Sequence, residues 1–323
     1  MTQSRLTLAL EDGALDLPDG PVAVLGAPGG FDLTALPRDR VTVVSRFFPD
    51  AEAWTRAGYE VMQTVSGDFA VALVVLPRAK AAARALIAEA AALAPLVLVD
   101  GQKHDGIDSV LKAVKARAAI GGVVSKAHGK LFWIEGGDFP DWAARDIEVG
   151  GFLTRPGVFS AGGPDKGSRA LVDALPPLTG QVADLGAGWG YLTRHILASD
   201  AVTQVDLIEA DATALDCARI NITDPRATFR WADATAFTPE SPYDAAVSNP
   251  PFHTGRSGDP ALGRAFIRAA AGMLAPSGQF WMVANRHLPY EAELARHFHE
   301  IDEAGGTPGF KVIRATGPRR RGR

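Results

Sequence analysis

At 323 residues and 34.0 kDa the chain exceeds one ordinary compact domain and suits two. Apolar residues at 47% and charged residues at 22% exclude wholesale disorder, and a net charge of −4 excludes an overall basic footprint for nucleic acid, which would have to be met by a local patch. The single cysteine, Cys217, excludes an internal disulfide and, with no paired cysteine spacing around it, a zinc site; a reducing, cytoplasmic monomer is expected, without a secretion signal or a membrane span.

In chain order, the first apolar strand, Val22-Ala23-Val24-Leu25, runs into a glycine loop, Gly26-Ala27-Pro28-Gly29-Gly30. A second apolar run, Phe69 to Leu76, stops at Pro77, and the patterning then predicts a helix over 79–94 and a strand over 96–100. Gly150-Gly151 precedes a new segment and divides the chain into 1–148 and 149–323. The same plan then recurs. Val182-Ala183-Asp184-Leu185 leads into Gly186-Ala187-Gly188-Trp189-Gly190, with a helix expected over 191–197, strands over 205–209 and 229–234, and Cys217 as a small apolar residue on the helix between them. A strand over 245–248 ends at Asn249-Pro250-Pro251-Phe252, and a helix over 261–274 and a strand over 279–285 follow. Alternating strands and helices imply βαβ units, a mainly parallel sheet and helices on both faces. The expected fold is α/β: two tandem Rossmann-like domains, the first degenerate. Val24 stands where the second copy has Asp184, and Val75 where it has Asn249, so the first copy lacks polar groups at both strand ends. Ligands of open α/β sheets bind beyond those ends, so residues 1–148 are expected to position RNA or to shield the folding of the second domain rather than to react.

The second glycine loop departs from the dinucleotide pattern, because counting from Gly186 the third glycine position falls on Tyr191. Asp184 just before the loop suits a cationic amino group better than a pyrophosphate. Glu209 ends the next strand and can accept the hydrogens of two ribose hydroxyls; Asp233 ends a third and can accept from an adenine amino group, or can simply cap the following turn. Three acids at three strand ends around a glycine loop describe an adenosine bearing an amino acid, which is S-adenosylmethionine.

Asn249-Pro250-Pro251-Phe252 supplies the chemistry. Two prolines stiffen the corner and remove two N–H donors, so the Asn249 amide oxygen and nearby carbonyls face the ligand as acceptors, and Phe252 can stack on a base. The implied methyl acceptor is a planar exocyclic amine. His253 could take the departing proton or could be structural; sulfonium is a good enough leaving group that proximity and orientation suffice. Lys311, Arg314, Arg319, Arg320, Arg321 and Arg323 face no acid from position 311 onward, and read either as a solvated tail or as a phosphate-contacting arm.

The order of these motifs resembles class I methyltransferases of exocyclic amines. Two flanking pairs narrow the resemblance: Arg155-Pro156-Gly157-Val158-Phe159-Ser160 with Asp165-Lys166-Gly167-Ser168, and Val283-Ala284-Asn285-Arg286-His287-Leu288-Pro289-Tyr290 with Gly309-Phe310-Lys311-Val312. Both resemble the ribosomal RNA small subunit methyltransferase C family and its large-subunit relative, guanine N2 methyltransferases with a duplicated, partly degenerate first domain. The resemblance implies cofactor contacts at Asp184, Gly186, Gly188, Glu209, Asp233 and Asn249, with Lys166 and Gly167 bordering the cofactor and the methyl acceptor at Asn249, Pro250, Pro251 and Phe252. It further implies N2 methylation of a guanine in 16S ribosomal RNA. Rival substrates for the same corner are a 23S guanine, adenine N6 and protein glutamine; a binding module with a vestigial site is the rival from another class.

Overall fold

The computed structural model describes residues 4–251, 253–254, 257–258 and 260–319, in two compact units, Met1–Asp146 and Ile147–Arg323. In the first, α1 (Arg5–Glu11) precedes β1 (Val22–Leu25), β2 (Val41–Val44), α2 (Phe48–Arg56), β3 (Glu60–Met62), β4 (Val71–Val75), α3 (Lys80–Leu93), β5 (Leu96–Gln102), α4 (Ile107–Lys115), β6 (Ile120–Lys126) and β7 (Gly129–Glu135). The second opens with a hairpin of β8 (Ile147–Val149) and β9 (Phe152–Thr154), then α5 (Lys166–Ala174), β10 (Gly180–Leu185), α6 (Tyr191–Ile196), β11 (Val202–Glu209), α7 (Ala212–Asn221), β12 (Ala227–Trp231) and β13 (Tyr243–Ser248). The short pair β14 (His253–Thr254) and β15 (Ser257–Gly258) follows, then α8 (Pro260–Met273), β16 (Leu274–Asn285), α9 (Glu291–His297), β17 (Phe298–Gly306) and β18 (Phe310–Pro318).

Among the described residues each unit builds one seven-stranded sheet, ordered β3-β2-β1-β4-β5-β7-β6 in the first and β12-β11-β10-β13-β16-β18-β17 in the second. Counted within its own sheet, each follows the same order. β7 and β18 enter antiparallel, against β5 and β16, and the strands before them in each order run parallel. Every residue of β1, β2 and β4 is buried, as expected of strands covered on both faces. Helix α3 buries Ala83, Ile87 and Ala90, and α4 buries Ile107, Val110, Leu111 and Val114, the three-to-four spacing of a helix seated on a sheet. Each fully buried Ile, Leu or Val contributes about 1.5–3 kcal/mol.

The register makes the two units comparable residue by residue. Val22 pairs with Val71 as Val182 pairs with Ala245, and Leu25 with Val44 as Leu185 with Ile208. Val75 therefore holds the place of Asn249, Ser45 that of Glu209 and Val24 that of Asp184. The basic segment from Lys311 is corrected by the fold: up to Pro318 it is β18, between β16 and β17, rather than a tail. Lys311 is 5% exposed there, donating to the Leu288 carbonyl at 2.8 Å and pairing with Glu291. Arg320 to Arg323 lie outside the described residues. No helix among the described residues is long and apolar enough to cross a membrane.

Candidate active site

β10 and β13 are neighbours from which the chain crosses in opposite directions, to β11 on one side and β16 on the other. A crevice opens beyond the carboxyl ends at such a point. Here the loop after β10 takes φ of +71° at Gly186, +56° at Gly188 and +89° at Gly190, a left-handed region that favours glycine. A Cβ on Gly188 would meet nothing within 4 Å, so the backbone itself forms the floor of an open cradle. Gly190 is the N-cap of α6 and faces α7, where a Cβ would come within 3.0 Å of Ile222.

Two carboxylates support the loop. Asp184 is fully buried beneath it; Thr193 Oγ1 donates to its Oδ2 at 2.7 Å, while its buried Oδ1 has no partner among the described residues. Burial pushes its pKa up to about 6, against the lowering effect of the Thr193 bonds. Glu209 Oε2 accepts from the Gly188 N–H at 2.7 Å and Oε1 from the Asp211 N–H at 2.8 Å. Burial raises Glu209 to about 7, again against those two bonds.

The segment after β9 walls the cradle. Asn221, at the end of α7, accepts from the Leu153 N–H at 2.7 Å and donates to the carbonyls of Leu153 and Trp189, both at 2.8 Å, so one amide ties the hairpin to the glycine loop. Arg194 lies 3.5 Å over the Phe152 ring and donates to the Gly151 carbonyl. Trp189 Nε1 donates to the Phe159 carbonyl at 3.0 Å. Phe159 is left 64% exposed, and Ser160 next to it has φ +53°, a strained value for a residue with a side chain. Phe159, Asp165, Ser168, the loop from Gly186 to Trp189 and Asn249 are among the residues that line one cavity.

Asn249 sits where β13 ends, half-buried, followed by buried Pro250 and exposed Pro251. Its Nδ2 donates to Asp165 Oδ2 at 3.0 Å and to Ser168 Oγ at 2.9 Å. Asp165 is the N-cap of α5 and accepts from the N–H groups of Gly167 and Ser168.

The residues expected from sequence are thus dispersed around the cavity in different ways. Gly186, Gly188 and Asn249 line it. Asp184 lies under its floor and Glu209 reaches it through the Gly188 amide. Asp233 falls two residues past β12 and its Oδ1 accepts from the Thr235 N–H and hydroxyl, the local turn that sequence had offered as its alternative role. Lys166 is exposed on the first turn of α5, and Gly167 packs on Phe310, where a Cβ would sit 3.2 Å from the ring. Phe252 lies outside the described residues, as does the side chain of His253. Sequence reasoning gave no role to Phe159, Asp165, Ser168 or Asn221. Asp165 carried a helix-start signature, an N-cap acid before an apolar run, but its reach to Asn249, far along the chain, is tertiary.

The family model for the methyltransferase small domain matches residues 150–314. A ribosomal RNA small subunit methyltransferase C from Shewanella amazonensis is 30% identical over 264 residues, covering 76% of this chain and 76% of that protein. The chain belongs to this family. A further member, from Alteromonas mediterranea, is 26% identical over 97% of this chain and 98% of its own length. Among solved structures, a T. thermophilus 16S rRNA N2 methyltransferase (RsmC), in complex with AdoMet and guanosine, matches with a TM-score of 0.78 at 25% identity, covering 98% of this chain and 92% of that one. The family resemblance drawn from the motifs, and the tandem Rossmann-like plan, agree with these findings.

Proposed function

We propose that this chain transfers a methyl group from S-adenosylmethionine to the exocyclic N2 amine of a guanine in 16S ribosomal RNA. The observation that carries this reading is the Asn249 amide oxygen, which accepts from no described residue and stands at the end of β13 beside the glycine cradle. The relatives' names supply the RNA and the guanine.

The residues present fit the cofactor. The open backbone at Gly188 admits its amino-acid portion, the unpartnered Asp184 Oδ1 offers an acceptor below its ammonium, and each Glu209 oxygen keeps a second lone pair for a ribose hydroxyl. When bound, S-adenosylmethionine supplies a methyl group on a positively charged sulfur that leaves as a neutral thioether. Asn249 Oδ1 would accept one N–H of the amine, which draws its lone pair out of conjugation with the ring, and the proton that the methylated nitrogen then sheds passes to solvent. Pro250 restricts the backbone of Asn249 just before it, so the side chain is held at the end of β13 before substrate arrives. Phe159 offers an aromatic face at the rim, where stacking on a base contributes about 1–3 kcal/mol. Asp233 and Lys166 are assigned supporting roles at the adenine end and the rim.

Residues 1–148 are assigned RNA positioning, supported by Val24 and Val75 standing in that unit where the second has Asp184 and Asn249. The buried Cys217 fits a reducing cytoplasm, and light scattering would test the expected monomer. The function itself is tested by Asn249→Ala, which should bind S-adenosylmethionine with little change yet lose about 10²-fold or more in methyl transfer. Mass-spectrometric mapping of N2-methylguanosine in 16S rRNA reads the product. Wild-type turnover in that variant would remove the assignment.

A further inference from the structure

We infer that Asp165 and Ser168 are positioning residues that set the polarity of the Asn249 amide, holding its NH2 end so that its oxygen, and not its nitrogen, meets the substrate amine. The inference rests on the methyl-transfer reading above and adds to it the device that makes Asn249 competent.

An asparagine side chain has two nearly isosteric ends of opposite character, and the torsion that exchanges them is soft. Only one orientation serves this chemistry. An amine hydrogen needs an acceptor; an Asn249 turned over would present two further N–H donors and repel it. The choice is therefore a requirement on the surroundings of Asn249, and β13 and the diproline corner do not supply it, since backbone geometry alone is indifferent to which end of the amide points where.

α5 supplies it. A carboxylate accepts and does not donate, so Asp165 Oδ2 at 3.0 Å demands the nitrogen end. Ser168 could have gone either way, but its hydroxyl hydrogen is given to Asp165 Oδ2 at 2.5 Å, which leaves its oxygen only lone pairs to offer Asn249 Nδ2 at 2.9 Å. Both amide hydrogens are thereby used, and the oxygen is turned away from α5. The carboxylate in turn is fixed, because Asp165 Oδ1 accepts the Gly167 and Ser168 N–H groups at 2.7 and 3.2 Å. One residue thus caps the helix with one oxygen and orients the site with the other. In the first unit Val75 takes the place of Asn249, so no amide remains there to orient.

The two jobs of Asp165 separate under Asp165→Asn. Asparagine caps helices as well as aspartate does, so its side-chain oxygen retains the Gly167 and Ser168 bonds. Its NH2 group then opposes that of Asn249, donor against donor. The expected result in the full chain is a fall in kcat of about 10²-fold, with the melting temperature unchanged and the Kd for S-adenosylmethionine, read by calorimetry, altered far less. The double variant Asp165→Asn/Asn249→Asp restores a donor facing an acceptor and leaves a carboxylate oxygen toward the amine; it should recover about tenfold or more over the single variant. Ser168→Ala, which removes one of two acceptors, should fall between wild type and Asp165→Asn. A kcat for Asp165→Asn within about threefold of wild type, or a double variant no better than the single one, overturns the polarity role while leaving the function intact if Asn249→Ala is inactive. An active Asn249→Ala overturns both.

Discussion

Glu209 and Asp184 are carboxylates that burial holds above their ordinary values, to about 7 from 4.5 and to about 6 from 3.8. The folded chain therefore binds these protons more tightly than the unfolded chain does. The resulting destabilisation is absent below the unfolded values, grows as pH rises, and is complete above the folded ones. For Glu209 the window runs from about 4.5 to about 7. Across it the melting temperature of Glu209→Gln should climb relative to wild type, because the amide has no charge to bury; a constant difference between the two scans would contradict this. If ionised Glu209 accepts the ribose hydrogens as proposed, cofactor affinity in the wild type should rise as pH climbs toward the folded value of about 7 and flatten in the variant. The residue type was legible in the sequence as an acid at a strand end. Its titration was not, because its burial and its bond to the Gly188 amide depend on how the glycine loop packs beside β11.

At the scale of the element, the two glycine loops show which parts of a motif serve the chain and which serve a ligand. Gly26 and Gly186 have φ of +72° and +71°, and Gly30 and Gly190 have +85° and +89°. The turn from strand to helix is kept because backbone sterics demand it in either unit. Between them Pro28 replaces Gly188, and Ser45 replaces Glu209. In the second unit these two are the partners of one hydrogen bond, N–H to carboxylate. Proline lacks the donor, and in place of the carboxylate serine has a short hydroxyl that donates to the Phe47 carbonyl at 3.2 Å, so this hydrogen bond is missing from the first unit. Its loop is closed onto α2 instead: Trp54 Nε1 donates to the Ala27 carbonyl, and a Cβ on Gly29 would meet that of Ala53 at 2.7 Å. The hairpin of β8 and β9 shows the converse dependence on one side chain. Asn221→Ala removes three hydrogen bonds and should lower stability by about 1–3 kcal/mol, read from the urea midpoint. Faster hydrogen exchange at the Leu153 amide would locate the loss, and an unchanged exchange rate there would show that Asn221 does not hold the hairpin.

For the whole molecule, every residue lining the cavity lies in the second unit, which has its own apolar clusters on both faces of its sheet. Residues 147–323 produced alone should bind S-adenosylmethionine with near wild-type affinity. Methyl transfer to 16S rRNA should drop on deletion of 1–146 if the first unit positions RNA; undiminished transfer would reject that role. The first unit is net acidic, and its cores are as complete as those of the second. A domain can lose its site while keeping its core, since strand-end groups face the crevice and the strand interiors face the helices.

The sequence by itself determined the alternation of strands and helices, the duplication, and where the glycine loop and the proline corner fall, because hydrophobic period, glycine and proline act through local backbone sterics. It also determined the register of the copies, with Val75 opposite Asn249 in the alignment as in the ladders. Tertiary structure alone decided the rest. Insertion of β18 between β16 and β17 turned an apparent basic tail into sheet, and buried Lys311 against Glu291. Trp189 holds the Phe159 carbonyl beside the cavity, and α5 brought Asp165 and Ser168 to Asn249. These are contacts between segments distant in the chain, and one sequence carries no local signal of which distant partner will satisfy an amide.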